Sequence, residues 1–381
     1  MPAEKTVVII GPAHPLRGGL ATYNERLAKE FIDLGYKAII YTFSLQYPSF
    51  LFPGKTQYST EAAPLNLEIR VKINSVDPLN WLRTGREIKK LRPDLVVIKF
   101  WIPFMGPCLG TLAKIIRSNR HSKVISIIDN IIPHEKRPGD RLLAGYFARN
   151  VDGFIAQSKS VLTDLETFNT KRPMVFCPHP LFDNFGEAID KVTAKQTLGL
   201  EEKTRYVLFF GFIRDYKGLD LLLEAFGTQE VKDSGLKLIV AGEFYTDPEP
   251  YHTLIRKLKL EDQVVLRTDF IPDSAVYKYF CASDLVVQPY KNATQSGVTQ
   301  IAYHFNKPMI TTNVGGLAEI VPDGKVGFVV DPDPVRIADA ILRFYTGDHE
   351  QAFIANILEE KRRYSWRHMV EAVEQVSVTH S

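Results

Sequence analysis

The sequence predicts an α/β fold built from two successive doubly wound domains. Short runs of Val, Ile, Leu and Phe alternate with helix-period stretches from end to end, as in parallel sheets covered by helices. Between about residues 178 and 203 that alternation lapses into Pro-His-Pro and a charged stretch around a short helical piece, then restarts. A length of 381 residues also exceeds one ordinary core. The expected division is 1–180, a linker over 181–204, a second domain over 205–362, and a final helix within 363–381 packing back on the first. Ligands of such sheets lie outside the carboxyl ends of the strands, so the expected site is a cleft that the two halves face.

In the first half, residues 6–10 and 37–43 read as strands around a helix over 20–34. That helix repeats Leu20, Tyr23, Leu27, Phe31 and Leu34 near the 3.6 period. Residues 44–64 form a long loop rich in aromatics and proline, a length usual for functional loops. Strands follow at 67–73, 95–101, 124–128, 153–157 and 174–177. Helices are expected near 81–91, 109–117, 141–148 and 161–168. The second half repeats the plan, with strands at 206–212, 236–241, 264–266, 285–289, 309–312 and 328–330. Helix-like stretches at 335–345, 352–362 and 366–376 close the chain.

The second half is organised around residues 209–226, FFGFIRDYKGLDLLLEAF. An apolar strand ends at Gly211. Arg214 and Lys217 follow, directly before a helix that buries Leu219, Leu222, Leu223 and Phe226. The first N–H groups of a helix lack intrahelical partners, and the helix dipole makes that end positive. Cations placed there oppose the dipole and need a reason; a diphosphate supplies one. Solvated loop charges are the plainer reading, and phosphate binding is preferred.

Other glycine-marked turns recur at strand ends. The first strand leads into GPAHPLRGG, where Gly18 and Gly19 at a helix start admit a ligand oxygen close to the backbone, with His14 and Arg17 beside them. It is neither a dinucleotide GxGxxG nor a Walker loop, which argues against a dehydrogenase. Gly242-Glu243 ends one strand, Ser296-Gly297-Val298 opens a helix, and Gly315-Gly316 precedes a helix with Glu319. Each could be ordinary βα punctuation; several in one domain exceed what turns require. His134, in DNIIPHEKRPGD, lies on a loop after a buried strand, where it could hydrogen-bond a sugar hydroxyl or a phosphate. Asp331-Pro-Asp333 has the outward form of a metal motif but reads as a turn.

Composition excludes several classes. Apolar residues make up 45% and charged residues 24%, as in soluble globular chains. No apolar run reaches the roughly 20 residues that span a bilayer. The N-terminus reads as a first strand and not a signal peptide. Cys108, Cys177 and Cys281 have neither disulfide-like nor metal-like spacing, and the histidines show no zinc pattern. Charge is uneven: residues 1–180 hold 25 cations against 15 acids, the remainder 22 against 29. The basic half suggests an anionic partner such as a lipid phosphate, a membrane surface or an acidic saccharide.

The segments GFIRDYKGLDLLLEAF and VGGLAEIVPDGKVGFVV, in that order, resemble the retaining glycosyltransferases of family 4. The resemblance runs from the first glycine loop to YSWRHM at 364–369. It implies the GT-B fold, two Rossmann-like domains facing across a cleft. It also implies metal-independent hexosyl transfer from a nucleotide diphosphate sugar, UDP- or GDP-linked, to a saccharide or lipid-linked acceptor, with no other cofactor. Cell-surface polysaccharide synthesis in the cytoplasm, peripheral at the membrane face, would follow, without a nucleic-acid partner. The domain over 1–180 would take the acceptor and that over 205–362 the nucleotide sugar. Catalytic roles fall on His134, Arg214 and Lys217. Donor contacts fall on Gly18, Gly19, Gly211, Glu243, Gln295, Ser296, Gly297, Val298 and Glu319.

One departure stands out. Family members commonly carry two glutamates eight positions apart, whereas ATQSGVTQIAYHFNKP has none. Gln295 and Gln300 would replace some of those contacts as uncharged hydrogen-bonding groups. This leaves open a GT-B-type epimerase, a phosphorylase-like enzyme, or a sugar-nucleotide-binding scaffold without turnover.

Overall fold

The computed structural model describes residues 5–48, 56–132, 137–168, 170–293, 296–347 and 349–379. It divides into two compact units, Met1–Pro180 with Tyr364–Ser381, and Leu181–Arg363.

Unit 1 holds a seven-stranded parallel sheet of β1 (Thr6–Ile10), β2 (Lys37–Leu45), β3 (Glu68–Asn74), β4 (Leu95–Phe100), β5 (Lys123–Ile128), β6 (Gly153–Ala156) and β7 (Met174–Phe176). The order is β3-β2-β1-β4-β5-β6-β7. Its helices are α1 (Gly19–Asp33), α2 (Pro78–Leu91), α3 (Gly106–Arg117), α4 (Asp140–Arg149) and α5 (Lys159–Glu166). The core is the continuous apolar layer the sequence suggests: Val8, Ile10, Val96, Ile98, Leu109, Leu112 and Phe147 are all fully buried in it.

Unit 2 begins with α6 (Lys191–Thr197), so residues 181–204 belong to it. Its sheet of β8 (Tyr206–Phe210), β9 (Lys237–Ala241), β10 (Val264–Arg267), β11 (Leu285–Gln288), β12 (Met309–Thr312) and β13 (Gly327–Val330) is also parallel. The order is β10-β9-β8-β11-β12-β13. Between the strands run α7 (Leu219–Phe226), α8 (Gln229–Asp233), α9 (Glu249–Leu258), α10 (Val276–Ala282), α11 (Gly297–His304), α12 (Leu317–Ile320), α13 (Pro334–Thr346) and α14 (Glu350–Glu360). α7 buries Leu219, Leu222, Leu223, Ala225 and Phe226 against the sheet. At about 2 kcal/mol for each large side chain, that burial and not intrinsic propensity holds so short a helix.

The last helix, α15 (Trp366–Val378), returns to unit 1 and packs on α1, β5, β6 and β7. Val376 crowds Gly153: a Cβ there would lie 2.2 Å from a Val376 methyl. In both sheets the order reverses beside the first strand, between β1 and β4 and between β8 and β11. These are the switch points where doubly wound folds bind ligands.

Candidate functional site

In unit 2 the turn after β8 and the loop after β11 meet at the switch point. Gly211 has φ +101, a left-handed conformation that ends the strand two residues earlier than its apolar run suggests. Arg214 precedes a single 3-10 turn, Asp215–Lys217, and Gly218 (φ +69) then starts α7. A Cβ on Gly218 would lie 2.0 Å from the Pro289 carbonyl oxygen, so only glycine lets the two loops approach. Lys291 N–H donates to the Tyr216 carbonyl at 2.7 Å, and the Lys291 ammonium pairs with Asp220 at 2.5 Å.

This packing gathers several of the expected residues. A Cβ on Gly211 would sit 3.0 Å from the Lys217 ammonium and 3.6 Å from a Val298 methyl, so its absence leaves room beside that ammonium. The Lys217 ammonium lies 5.6 Å from the Tyr290 ring centroid, and the Arg214 guanidinium 5.1 Å from that of Tyr245. No ion pair among the described residues uses either cation. Burial, then repulsion from Arg214, lowers the Lys217 pKa to about 7. Two close cations without a carboxylate leave a positive site that an anion would neutralise.

Helix starts add to it. Ser296 precedes α11 but does not cap it; its hydroxyl lies 3.2 Å from the Tyr290 hydroxyl. The first N–H groups of α11, from Gly297 and Val298 onward, therefore have no side-chain acceptor from that cap, and α7 likewise lacks one. Glu243 is buried, and its carbonyl accepts from Ile213 N–H at 2.9 Å, tying the turn after β9 to the turn after β8. Gly242 lies against Gly211, where a Cβ would come 2.2 Å from the Gly211 carbonyl oxygen.

Other expected residues lie on other elements. Glu319 is on α12, beyond β12, two strands from β8. Gly18 (φ +98) and Gly19 open α1 in unit 1. Beside them, His14 Nε2 lies 3.2 Å from the Glu61 carbonyl and Arg17 Nε donates to the Thr56 carbonyl at 2.8 Å. Both side chains thus hold the returning end of the 44–64 loop. His134 and Gln295 lie outside the described residues. Gln300, expected to replace some of the glutamate contacts, is fully buried, and neither amide atom has a hydrogen-bond partner. Its neighbours Val298, Thr299, Ile301, Ala302 and Tyr303 on α11 are buried as well.

Unit 1 contains a polar cluster that sequence reasoning missed. Lys99, near the end of β4, is 1% exposed. Its ammonium pairs with Asp129 at 2.7 Å, donates to Gln157 Oε1 at 2.7 Å and sits 3.6 Å from the Tyr23 ring centroid. Gln157 Nε2 donates to the Tyr23 hydroxyl at 2.9 Å. Tyr23 in turn packs on His179 and Trp366, each with centroids 4.9 Å away. Desolvation lowers the Lys99 pKa while Asp129 opposes the shift; burial, and Lys99 nearby, hold His179 at about 3. A lone lysine within the apolar run LVVIKF was the available signal. Among the described residues no group of three or more His, Cys, Asp or Glu is placed to hold a metal ion.

A model of the glycosyl transferases of group 1 matches residues 204–347, and one of glycosyltransferase family 4 matches residues 17–181. A D-inositol 3-phosphate glycosyltransferase of Nocardioides sp. is 31% identical over 194 residues, covering 47% of this chain and 42% of its own. One from Corynebacterium urealyticum is 25% identical over 246 residues, covering 61% and 58%. The chain thus spans about half the length of the curated relatives it matches. Among solved structures, sucrose-phosphate synthase from Thermosynechococcus elongatus superposes with a TM-score of 0.74 at 15% identity, covering 98% of both chains. Anabaena HepE in complex with UDP-glucose gives 0.71 at 16% identity, covering 97% and 98%. At these identities the structural likeness establishes the fold, as two Rossmann-like parallel-sheet domains of GT-B type.

Proposed function

The chain belongs to the group 1, family 4 glycosyltransferases of GT-B fold, and from that premise we propose that it is a retaining hexosyltransferase. It would move a sugar from a nucleotide diphosphate sugar to a saccharide or lipid-linked acceptor without a metal. The observation that carries the reading is the Arg214–Lys217 turn, two cations beside the uncapped starts of α7 and α11. HepE was solved with UDP-glucose, which favours a UDP-sugar donor here.

In the proposed reaction the bond between the anomeric carbon and the diphosphate oxygen breaks as the acceptor oxygen bonds to that carbon on the same face. The acceptor proton passes to the departing diphosphate. Arg214, Lys217 and the N–H groups at Gly297 and Val298 stabilise the negative charge that builds there, the part a metal plays elsewhere. Gly211 gives the oxygens room, and Glu243 fixes the turn. Gly18, Gly19, His134, Gln295 and Glu319 remain proposed ligand contacts; unit 1 would take the acceptor and unit 2 the donor.

Cell-surface polysaccharide synthesis at the cytoplasmic membrane face suits such an acceptor and the basic first half; no helix among the described residues is long and apolar enough to cross a membrane. A second reading, a binding scaffold without turnover, is favoured by one observation: the burial of Gln300 in a segment without glutamate. The two separate when UDP-, GDP- and ADP-glucose are tested for binding by calorimetry and for release of free nucleotide. Binding with turnover that Lys217→Ala abolishes, at unchanged melting temperature, supports the transferase. Binding without turnover supports the scaffold.

A further inference from the structure

α2 presents an outward face that its fold does not use. Asp77 caps it, accepting from Leu79 N–H at 2.9 Å and Asn80 N–H at 3.2 Å. Thr84, Gly85 and Ile88 turn inward, and a Cβ on Gly85 would lie 3.0 Å from the Ile115 side chain of α3. That close packing fixes which side looks out: Leu79, Leu82, Arg83, Arg86 and Lys90 are exposed on it.

Two features of residues 70–92, from β3 through α2, are unusual together. Fourteen large apolar side chains are exposed among the described residues, and five of them, Val71, Val76, Leu79, Leu82 and Leu91, fall within residues 71–91. An even spread would put about one there. Leu79 is 63% exposed. Residues 70–92 also hold seven cations against two acids, and both acids are engaged. Asp77 caps the helix. Glu87 accepts from the Tyr41 hydroxyl at 2.9 Å and pairs with Arg70 at 3.6 Å and Lys72 at 3.7 Å. No ion pair among the described residues uses Arg83, Arg86, Lys89, Lys90 or Arg92.

We propose that this face docks on a bilayer surface carrying anionic phospholipid. Lipid phosphates would meet the guanidinium and ammonium groups, whose long stems reach up to the headgroups while the leucines enter the acyl boundary. A soluble polyanion would satisfy the cations and leave Leu79 and Leu82 in water; a second copy of the chain would bury the leucines and oppose like charges. Only the lipid surface answers both. Electrostatic attraction of this kind is worth roughly fivefold in partitioning per basic side chain. The inference extends the lipid-linked acceptor reading, since a chain held at the bilayer meets such an acceptor directly. It rests on unit 1 alone.

The test is co-sedimentation of the full chain with vesicles of phosphatidylcholine, and of phosphatidylcholine mixed with phosphatidylglycerol. Binding is expected to the mixed vesicles only, weakening with salt. The triple change Arg83→Gln, Arg86→Gln, Lys90→Gln should reduce it on the order of 100-fold. Leu79→Ser with Leu82→Ser should reduce it further at high salt than at low salt. All these positions are exposed, so unchanged nucleotide-sugar binding serves as the folding control. Equal binding to both vesicles, or none to the mixed ones, would overturn the proposal. So would equal retention by a soluble acidic polysaccharide, or a dimer that the leucine changes dissolve. Vesicle binding without any nucleotide-sugar binding would overturn the transferase reading and leave this one standing.

Discussion

The lowered pKa of Lys217 makes donor affinity depend on pH in a calculable way. The perturbation is a titration from pH 6 to 9 with a nucleotide diphosphate sugar, whose doubly esterified diphosphate keeps constant charge over that range. With a pKa of about 7 in the free protein, half the Lys217 side chains are charged at pH 7 and about one in eleven at pH 8. If the ammonium form alone binds the diphosphate, apparent Kd changes about twofold between pH 6 and 7. It then rises roughly fivefold from pH 7 to 8 and about tenfold more by pH 9. The bound anion raises the lysine pKa, so binding above pH 7 takes up a proton. Calorimetry in two buffers of different ionisation enthalpy measures that proton directly. Lys217→Gln should bind weakly and without this slope. A wild-type Kd that stays flat from pH 6 to 9, or a slope that survives in Lys217→Gln, would mean that the Lys217 ammonium does not hold the diphosphate. Without ligand the sign reverses: the unfolded chain binds more protons between pH 7 and 10.5, so this group makes the free fold more stable as pH rises across that window.

Three further outcomes follow from the packing. Gly218→Ala should lower stability by about 1–3 kcal/mol, since it strains a left-handed residue and drives a methyl into the Pro289 carbonyl; urea melts measure it. Lys99→Met should cost about 3–5 kcal/mol by leaving Asp129 without its buried partner, while Lys99→Met with Asp129→Asn should recover most of that loss. His179, held at about 3 against a usual 6.5, makes the fold lose stability as pH falls between those values, by about 1.4 kcal/mol per unit. His179→Gln should flatten that acid limb in denaturant titrations at fixed pH steps.

Much of the fold was legible because its strands are buried on both faces and read as continuous apolar runs. The helix expected at 20–34 is observed as Gly19–Asp33, and the strand at 6–10 as Thr6–Ile10. Errors arose where a turn residue overrode the pattern. The run through Phe212 ends as a strand at Phe210, since Gly211 turns left-handed. α2 begins at Pro78, three residues before its expected start, because Asp77 caps it and proline suits the first turn. In the candidate site, the Arg214–Lys217 turn was visible as two cations ahead of an amphipathic helix. That Gly211 and Gly242 are needed for loop-to-loop approach was not, as those contacts join residues distant in sequence. The Lys99 cluster was hidden for the same reason: Asp129, Gln157 and Tyr23 come from three other elements. Gln300 reads as a replacement for a glutamate contact from its polarity, and its complete burial is a tertiary fact that the sequence does not carry.

Whether the Arg214–Lys217 turn holds the donor is decided by a crystal structure of the chain with a bound nucleotide diphosphate sugar. Diphosphate oxygens are expected about 2.7–2.9 Å from Lys217 Nζ and from Arg214, with another within hydrogen-bond reach of the Gly297 or Val298 N–H. A diphosphate bound elsewhere, with Lys217 and Arg214 touching none of its oxygens, would contradict that role of the turn.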